Sequence, residues 1–144
     1  MIEITILAVM LLAAIAVGLL VRRRDGALRA TDAAPAESQR AELLAAAGVT
    51  GSGPAVLHFS AEWCGPCDAV RRVVGSVTEE LAETPLAPRD IEIDIDAEPA
   101  LAKELNVLSL PTTFIFDAEG RERFRISGVP KAGDLRSALV PLTA

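Results

Sequence analysis

Cysteine and histidine are scarce in this chain, two of the first and one of the second among 144 residues. That is too few to build a four-ligand zinc site from these residue types, and one cysteine pair cannot staple a disulfide-rich secreted scaffold. Positive charge is short as well. Fourteen basic side chains face twenty acidic ones, for a net charge of −6, which argues against nucleic acid as the main partner. From Ile4 to Val21 charge is missing altogether, and only Glu3 carries one ahead of that run. No internal repeat or low-complexity block is present. Beyond Val21 the chain has about 123 residues of ordinary globular composition, enough for a single core.

The uncharged run itself is eighteen residues long, with only Thr5 and Gly18 below strong apolarity. As a helix it would reach roughly 27 Å, close to the thickness of a bilayer core. A cleaved signal peptide would want a basic segment before the run and a small-residue cleavage site after it. Here Met-Ile-Glu precedes the run and Arg22-Arg23-Arg24 comes after it, which favours an uncleaved transmembrane anchor over residues 1–21. Arginines beside a span tend to stay in the cytoplasm. The expected orientation therefore has the N-terminus outside and everything after Arg22 inside. Residues 22–36 read as a basic flank and linker, with a weakly signalled edge strand at Ala27–Ala30.

Residues 37–144 carry the pattern of one α/β domain. A helix is expected from Glu37 to Ala47, stopped by Gly48, and then a buried strand at Ala55–Ser60. Val70, Val73, Val74, Val77 and Leu81 recur at three- and four-residue spacing, which predicts a helix over Pro66–Glu83. Acid and isoleucine alternate from Asp90 to Asp96, the period of a strand. A short helix over Glu98–Leu105 opens with Pro99. Thr112–Asp117 and Glu122–Ser127 flank a turn and read as a hairpin, and Ala132–Val140 closes as a helix. This order predicts helices packed on a sheet with parallel and antiparallel parts. The carboxylates of Asp90, Glu92, Asp94, Asp96 and Glu98 lie along a line rather than around one ion, so no metal site is expected.

Chemistry concentrates at Trp63-Cys-Gly-Pro-Cys67, where a strand runs into a helix. Free backbone N–H groups at a helix N-terminus favour negative charge, so Cys64 is placed to hold a thiolate near neutral pH. Cys67, deeper in, is near enough to close a small disulfide ring. An exposed attacker and a sheltered resolver are what thiol–disulfide exchange needs. Pro66, at a first-turn position, stiffens the ring without losing a backbone bond.

Phe59-Ser-Ala-Glu-Trp-Cys-Gly-Pro-Cys67, with Leu110-Pro-Thr112 and Gly128 downstream, resembles the thioredoxin family, and the resemblance covers roughly residues 37–144. It implies a thioredoxin fold, a mixed sheet flanked by helices, preceded here by the membrane helix. It further implies that Cys64 is the nucleophile, that Cys67 resolves the mixed disulfide, and that Pro111 is cis and lies against the two sulfurs. Trp63, Gly65, Pro66, Leu110 and Pro111 would form the face that takes a disulfide-containing protein substrate, the backbone of Leu110 pairing with its extended chain. Electrons would come from a thioredoxin reductase or another dithiol donor, and no cofactor beyond the Cys64–Cys67 disulfide is implied.

The chain departs from the family at a buried position six residues before the first cysteine, where His58 replaces an aspartate. Glu92 falls where the family has a lysine. An acid–base pair of reversed polarity is therefore expected, with His58 either the proton shuttle for Cys67 and Glu92 orienting its ring, or a neutral ring that merely hydrogen-bonds inside the core. A charged His58 would favour the Cys67 thiolate and make the protein more oxidising than ordinary members. Asp68, in place of a common lysine, would work against that, and Arg72 replaces a helix-kinking proline. The leading reading is a membrane-tethered reductase of protein disulfides facing the cytoplasm. Its rivals are an extracytoplasmic exchange protein for oxidative folding or cytochrome maturation, and a binding module whose redox activity is incidental.

Overall fold

The computed structural model describes residues 1–24 and 33–144; the edge strand expected at Ala27–Ala30 lies outside them. Two compact units emerge, Met1–Ala33 and Ala34–Ala144. The first is built on one helix, α1 (Ile2–Arg24). Its Ile2–Leu19 stretch is long and apolar enough to cross a membrane, and none of it is buried.

Helix α2 (Ala33–Ala46), all but its first residue in the second unit, begins four residues ahead of the expected start at Glu37. Pro35 falls in its first turn, where a missing N–H costs no intrahelical bond. Gly48, at φ +80°, ends the helix as expected. The Gly48 N–H donates to the Ala45 carbonyl at 3.0 Å and the Val49 N–H to that of Leu44 at 2.9 Å, which satisfies carbonyls the helix leaves open.

Then come β1 (Ala55–Ser60), α3 (Cys67–Glu80), β2 (Arg89–Asp94) and α4 (Pro99–Glu104), followed by β3 (Thr112–Phe116), β4 (Glu122–Ser127), α5 (Ala132–Leu139) and a 3-10 turn, Val140–Leu142. The strands form one mixed sheet in the order β2-β1-β3-β4. β1 runs parallel to β2 and antiparallel to β3, and β3–β4 is the predicted hairpin. Helix α3 stops at Glu80, three residues before the expected Glu83. Pro85 disfavours helical backbone at Thr84, and the Thr84 hydroxyl donates to the Leu81 carbonyl at 2.6 Å.

Strand alternation divides the core between the two faces of the sheet. Ala55, Leu57, Phe59, Phe114 and Phe116 join Leu44 of α2 and Leu101 of α4 on one face. Val56 and Ile115 join Val70, Val74 and Val77 of α3 and Leu135 and Leu139 of α5 on the other. Each fully buried large side chain contributes about 1.5–3 kcal/mol. By the same alternation His58 and Thr113 lie on the α3–α5 face, both buried. On β2 the isoleucines pack on the α2–α4 side, leaving Asp90, Glu92 and Asp94 on the side of α3.

Candidate active site

The redox pair sits where β1 hands over to α3. Cys64 and Cys67 are joined by a disulfide, with Cα atoms 5.5 Å apart. Helix α3 begins at Cys67, with Pro66 as its N-cap at φ −66°, so Cys64 precedes the first turn rather than opening it. The Cys67 N–H donates to the Cys64 carbonyl at 3.3 Å and the Ala69 N–H to that of Pro66 at 3.1 Å. Cys64 keeps 9% of its surface exposed and Cys67 only 2%. The Cys67 Sγ lies 3.8 Å from the Phe59 carbonyl oxygen, which sets it against β1 one residue beyond His58.

The residues expected at the rim lie around the disulfide-bearing loop and the cis-proline loop. Trp63 is 69% exposed, and its indole N–H donates to Asp96 Oδ2 at 3.1 Å. Gly65 and Pro66 are exposed between the cysteines, and a Cβ at Gly65 would meet nothing within 4 Å. The Leu110–Pro111 peptide is cis. Leu110 is half-buried and Pro111 buried. The Pro111 carbonyl accepts the N–H of Gly128 at 2.8 Å, and Gly128 has a φ of +87°. Leu108, just ahead of this loop, is almost fully exposed.

The buried pair needs correction. His58, 1% exposed, takes Asp90 as its partner, Nε2 to Oδ1 at 3.0 Å, not Glu92. In register Glu92 is the residue beside His58 on β2, but Arg71 of α3 captures its carboxylate. Arg71 Nε donates to Glu92 Oε2 at 2.9 Å and Nη2 to Oε1 at 2.5 Å, a two-pronged geometry that a guanidinium makes best. Hydrogen bonding from Arg71 holds the Glu92 carboxyl down at about 2, against the opposing effect of burial. Arg71 Nη1 also donates to Asp68 at 2.5 Å, so the carboxylate next to Cys67 is answered by the same guanidinium.

The linear sequence does not reveal the roles of four residues of this site: Asp90, Arg71, Thr113 and Asp96. Asp90 and Asp96 are visible in it only as members of an alternating acidic run. Arg71 falls on the polar face of the valine helix, and nothing in the linear pattern tells which carboxylate it meets.

Family comparison agrees with this geometry. The thioredoxin family model matches residues 42–140, more than half of the chain. A thioredoxin from Mycolicibacterium smegmatis is 38% identical over 86 residues, covering 59% of this chain and 75% of that protein. Thioredoxin Asp f 28 from Aspergillus fumigatus is 36% identical over 81 residues, covering 56% and 71%. Among solved structures, a single-substitution mutant of a thioredoxin from Halobacterium salinarum superposes with a TM-score of 0.56 at 27% identity, covering 65% of this chain and 77% of that one. With its redox-active Cys64–Cys67 pair, the chain belongs to the thioredoxin family and is a thiol–disulfide oxidoreductase of thioredoxin type.

Proposed function

We propose that this protein is a membrane-anchored reductase of protein disulfides whose redox unit faces the cytoplasm. The observation that carries the reading is the bare apolar helix over Ile2–Leu19, succeeded by Arg22-Arg23-Arg24 and then by a Cys-Gly-Pro-Cys site. An unburied apolar surface of that length calls for a lipid environment, and the arginines favour the cytoplasmic side for the redox unit beyond them.

In the reaction, the Cys64 thiolate attacks one sulfur of a substrate disulfide. A Cys64–substrate disulfide forms, and the other substrate sulfur leaves as a thiolate. Cys67 then attacks the Cys64 sulfur, which breaks the mixed disulfide and releases the second substrate thiolate. The substrate has gained two electrons and the Cys64–Cys67 pair has lost two. A thioredoxin reductase or another dithiol donor restores the dithiol. Trp63, Gly65, Pro66, Leu110 and Pro111 form the face against which the substrate chain lies, with the Leu110 backbone as its pairing edge.

One experiment tests both halves. Cells expressing the full chain are reduced with a permeant thiol, washed, and exposed to a membrane-impermeant maleimide; membranes from the same cells are assayed for insulin reduction. The expected result is labelling of the cysteines only after lysis, with insulin reduction abolished by Cys64→Ser. Labelling in intact cells overturns the orientation and makes extracytoplasmic oxidative folding or cytochrome maturation the better account. Membranes that fail to reduce insulin with both cysteines intact remove the thiol mechanism and leave a binding module.

A further inference from the structure

Among the described residues, two buried polar atoms on β1 and β3 have no hydrogen-bond partner, His58 Nδ1 and Thr113 Oγ1. They belong to residues paired directly across β1 and β3 and point to the same side of the sheet, the side of α3. Polar atoms this deeply buried are costly to leave unmatched. Cys67 Sγ lies 3.8 Å from the carbonyl oxygen of Phe59, the residue next to His58, which suggests a use. On the ring's other side Nε2 meets Asp90 Oδ1 at 3.0 Å. An ionised carboxylate only accepts, so the proton of the neutral ring is on Nε2 and Nδ1 keeps its lone pair.

We propose that Asp90 is a positioning residue that makes His58 Nδ1 the base for Cys67, with the Thr113 hydroxyl as its buried companion. The inference rests on the thiol–disulfide reading above. In the resolving step the Cys67 thiol gives its proton to Nδ1, and the resulting thiolate attacks the Cys64 sulfur. The substrate sulfur leaves as a thiolate with the bonding pair and takes a proton from solvent. Asp90 stabilises the imidazolium that forms, since its charge lies against the Nε2–H. Thr113 suits both states of the ring, because a hydroxyl can donate to the free Nδ1 and accept from the protonated one.

The neighbouring charges leave this role to Asp90. On α3, Arg71 engages both Asp68 and Glu92, so these two carboxylates are already answered. On β2, Asp94 is paired with Ser60 at the strand end, two residues beyond His58 on β1. The remaining titratable group of α3 here is Cys67 itself. Gly75 of α3 leaves room over Asp90, as a Cβ there would sit 4.0 Å from its Oδ2.

The test is a two-phase reaction of the reduced full chain, in detergent, with Ellman's reagent. Cys64 releases the first thionitrobenzoate, and Cys67 releases the second as it closes the disulfide. Asp90→Asn keeps an acceptor for Nε2–H but removes the charge. It is expected to leave the first phase unchanged and to slow the second roughly tenfold at pH 7. A carboxylate acting on Cys67 directly would do the opposite, since removing it would ease ionisation of the thiol. In a His58→Leu background the Asp90→Asn effect should vanish. Thr113→Val, nearly the same shape, should slow the second phase by a smaller factor. A second phase that is unchanged or faster in Asp90→Asn overturns the proposal, as does an equal slowing in the His58→Leu background. Loss of the first phase in the unmutated chain would instead sink the thiol–disulfide reading.

Discussion

Arg71 and Glu92 meet between α3 and β2 with two hydrogen bonds, and the consequence for stability has a definite sign. Glu92 has its carboxyl at about 2 instead of the ordinary 4.5. A depressed folded-state value means stabilisation that is fully present above the unfolded value and is lost as pH falls towards the folded one. Because a third of the side chain is open to solvent, screening leaves on the order of 1 kcal/mol of this at pH 7. Glu92→Gln should therefore lower the urea midpoint at pH 7. The gap to the unmutated chain should close between pH 4.5 and 2. At this scale the sequence locates both cysteines, the tryptophan and the proline, because those assignments need only neighbours along the chain. It misassigns the partner of His58, because Arg71 competes for Glu92 across 21 residues of sequence.

Among elements, the side chain of Arg89 ties the loop between α2 and β1 to β2. Arg89, the first residue of β2, donates to the carbonyls of Gly48, Val49 (2.6 Å), Thr50 (3.5 Å) and Gly53 (3.3 Å), four acceptors in the loop that carries α2 into β1. Gly53 is confined there, since a Cβ would come within 2.6 Å of the Ala87 carbonyl oxygen. Arg89→Met keeps the stem but leaves these carbonyls without their donor. It should cost about 1–3 kcal/mol, read as a lower denaturant midpoint with the first phase of the Ellman reaction preserved. Element order is legible in the sequence because apolar periodicity and stop residues act locally. The Gly48 stop, the Pro99 start and the hairpin all lie where those signals put them. The bounds move where packing or backbone constraint takes over, as at Ala33 and Glu80. The arginine that pins the loop to β2 leaves no local signal.

In the whole molecule, both hydrophobic clusters are made, among the described residues, of residues from Leu43 onward. Deleting residues 1–24 should therefore leave the denaturant midpoint and insulin reduction unchanged. On the proposed anchoring, it should also move the protein from the membrane pellet to the soluble fraction. A lower midpoint would mean that α1 supports the fold. The sequence by itself determined the apolar helix, the order of strands and helices, and the redox pair, since each depends on interactions between residues close along the chain. The tertiary structure alone decided which charges meet. Parallel pairing puts Glu92 beside His58, but α3 lays Arg71 across it and leaves Asp90 to the ring, while β3 brings Thr113 to the other side. Those choices come from competition in space among side chains far apart in sequence, and no linear pattern records its outcome.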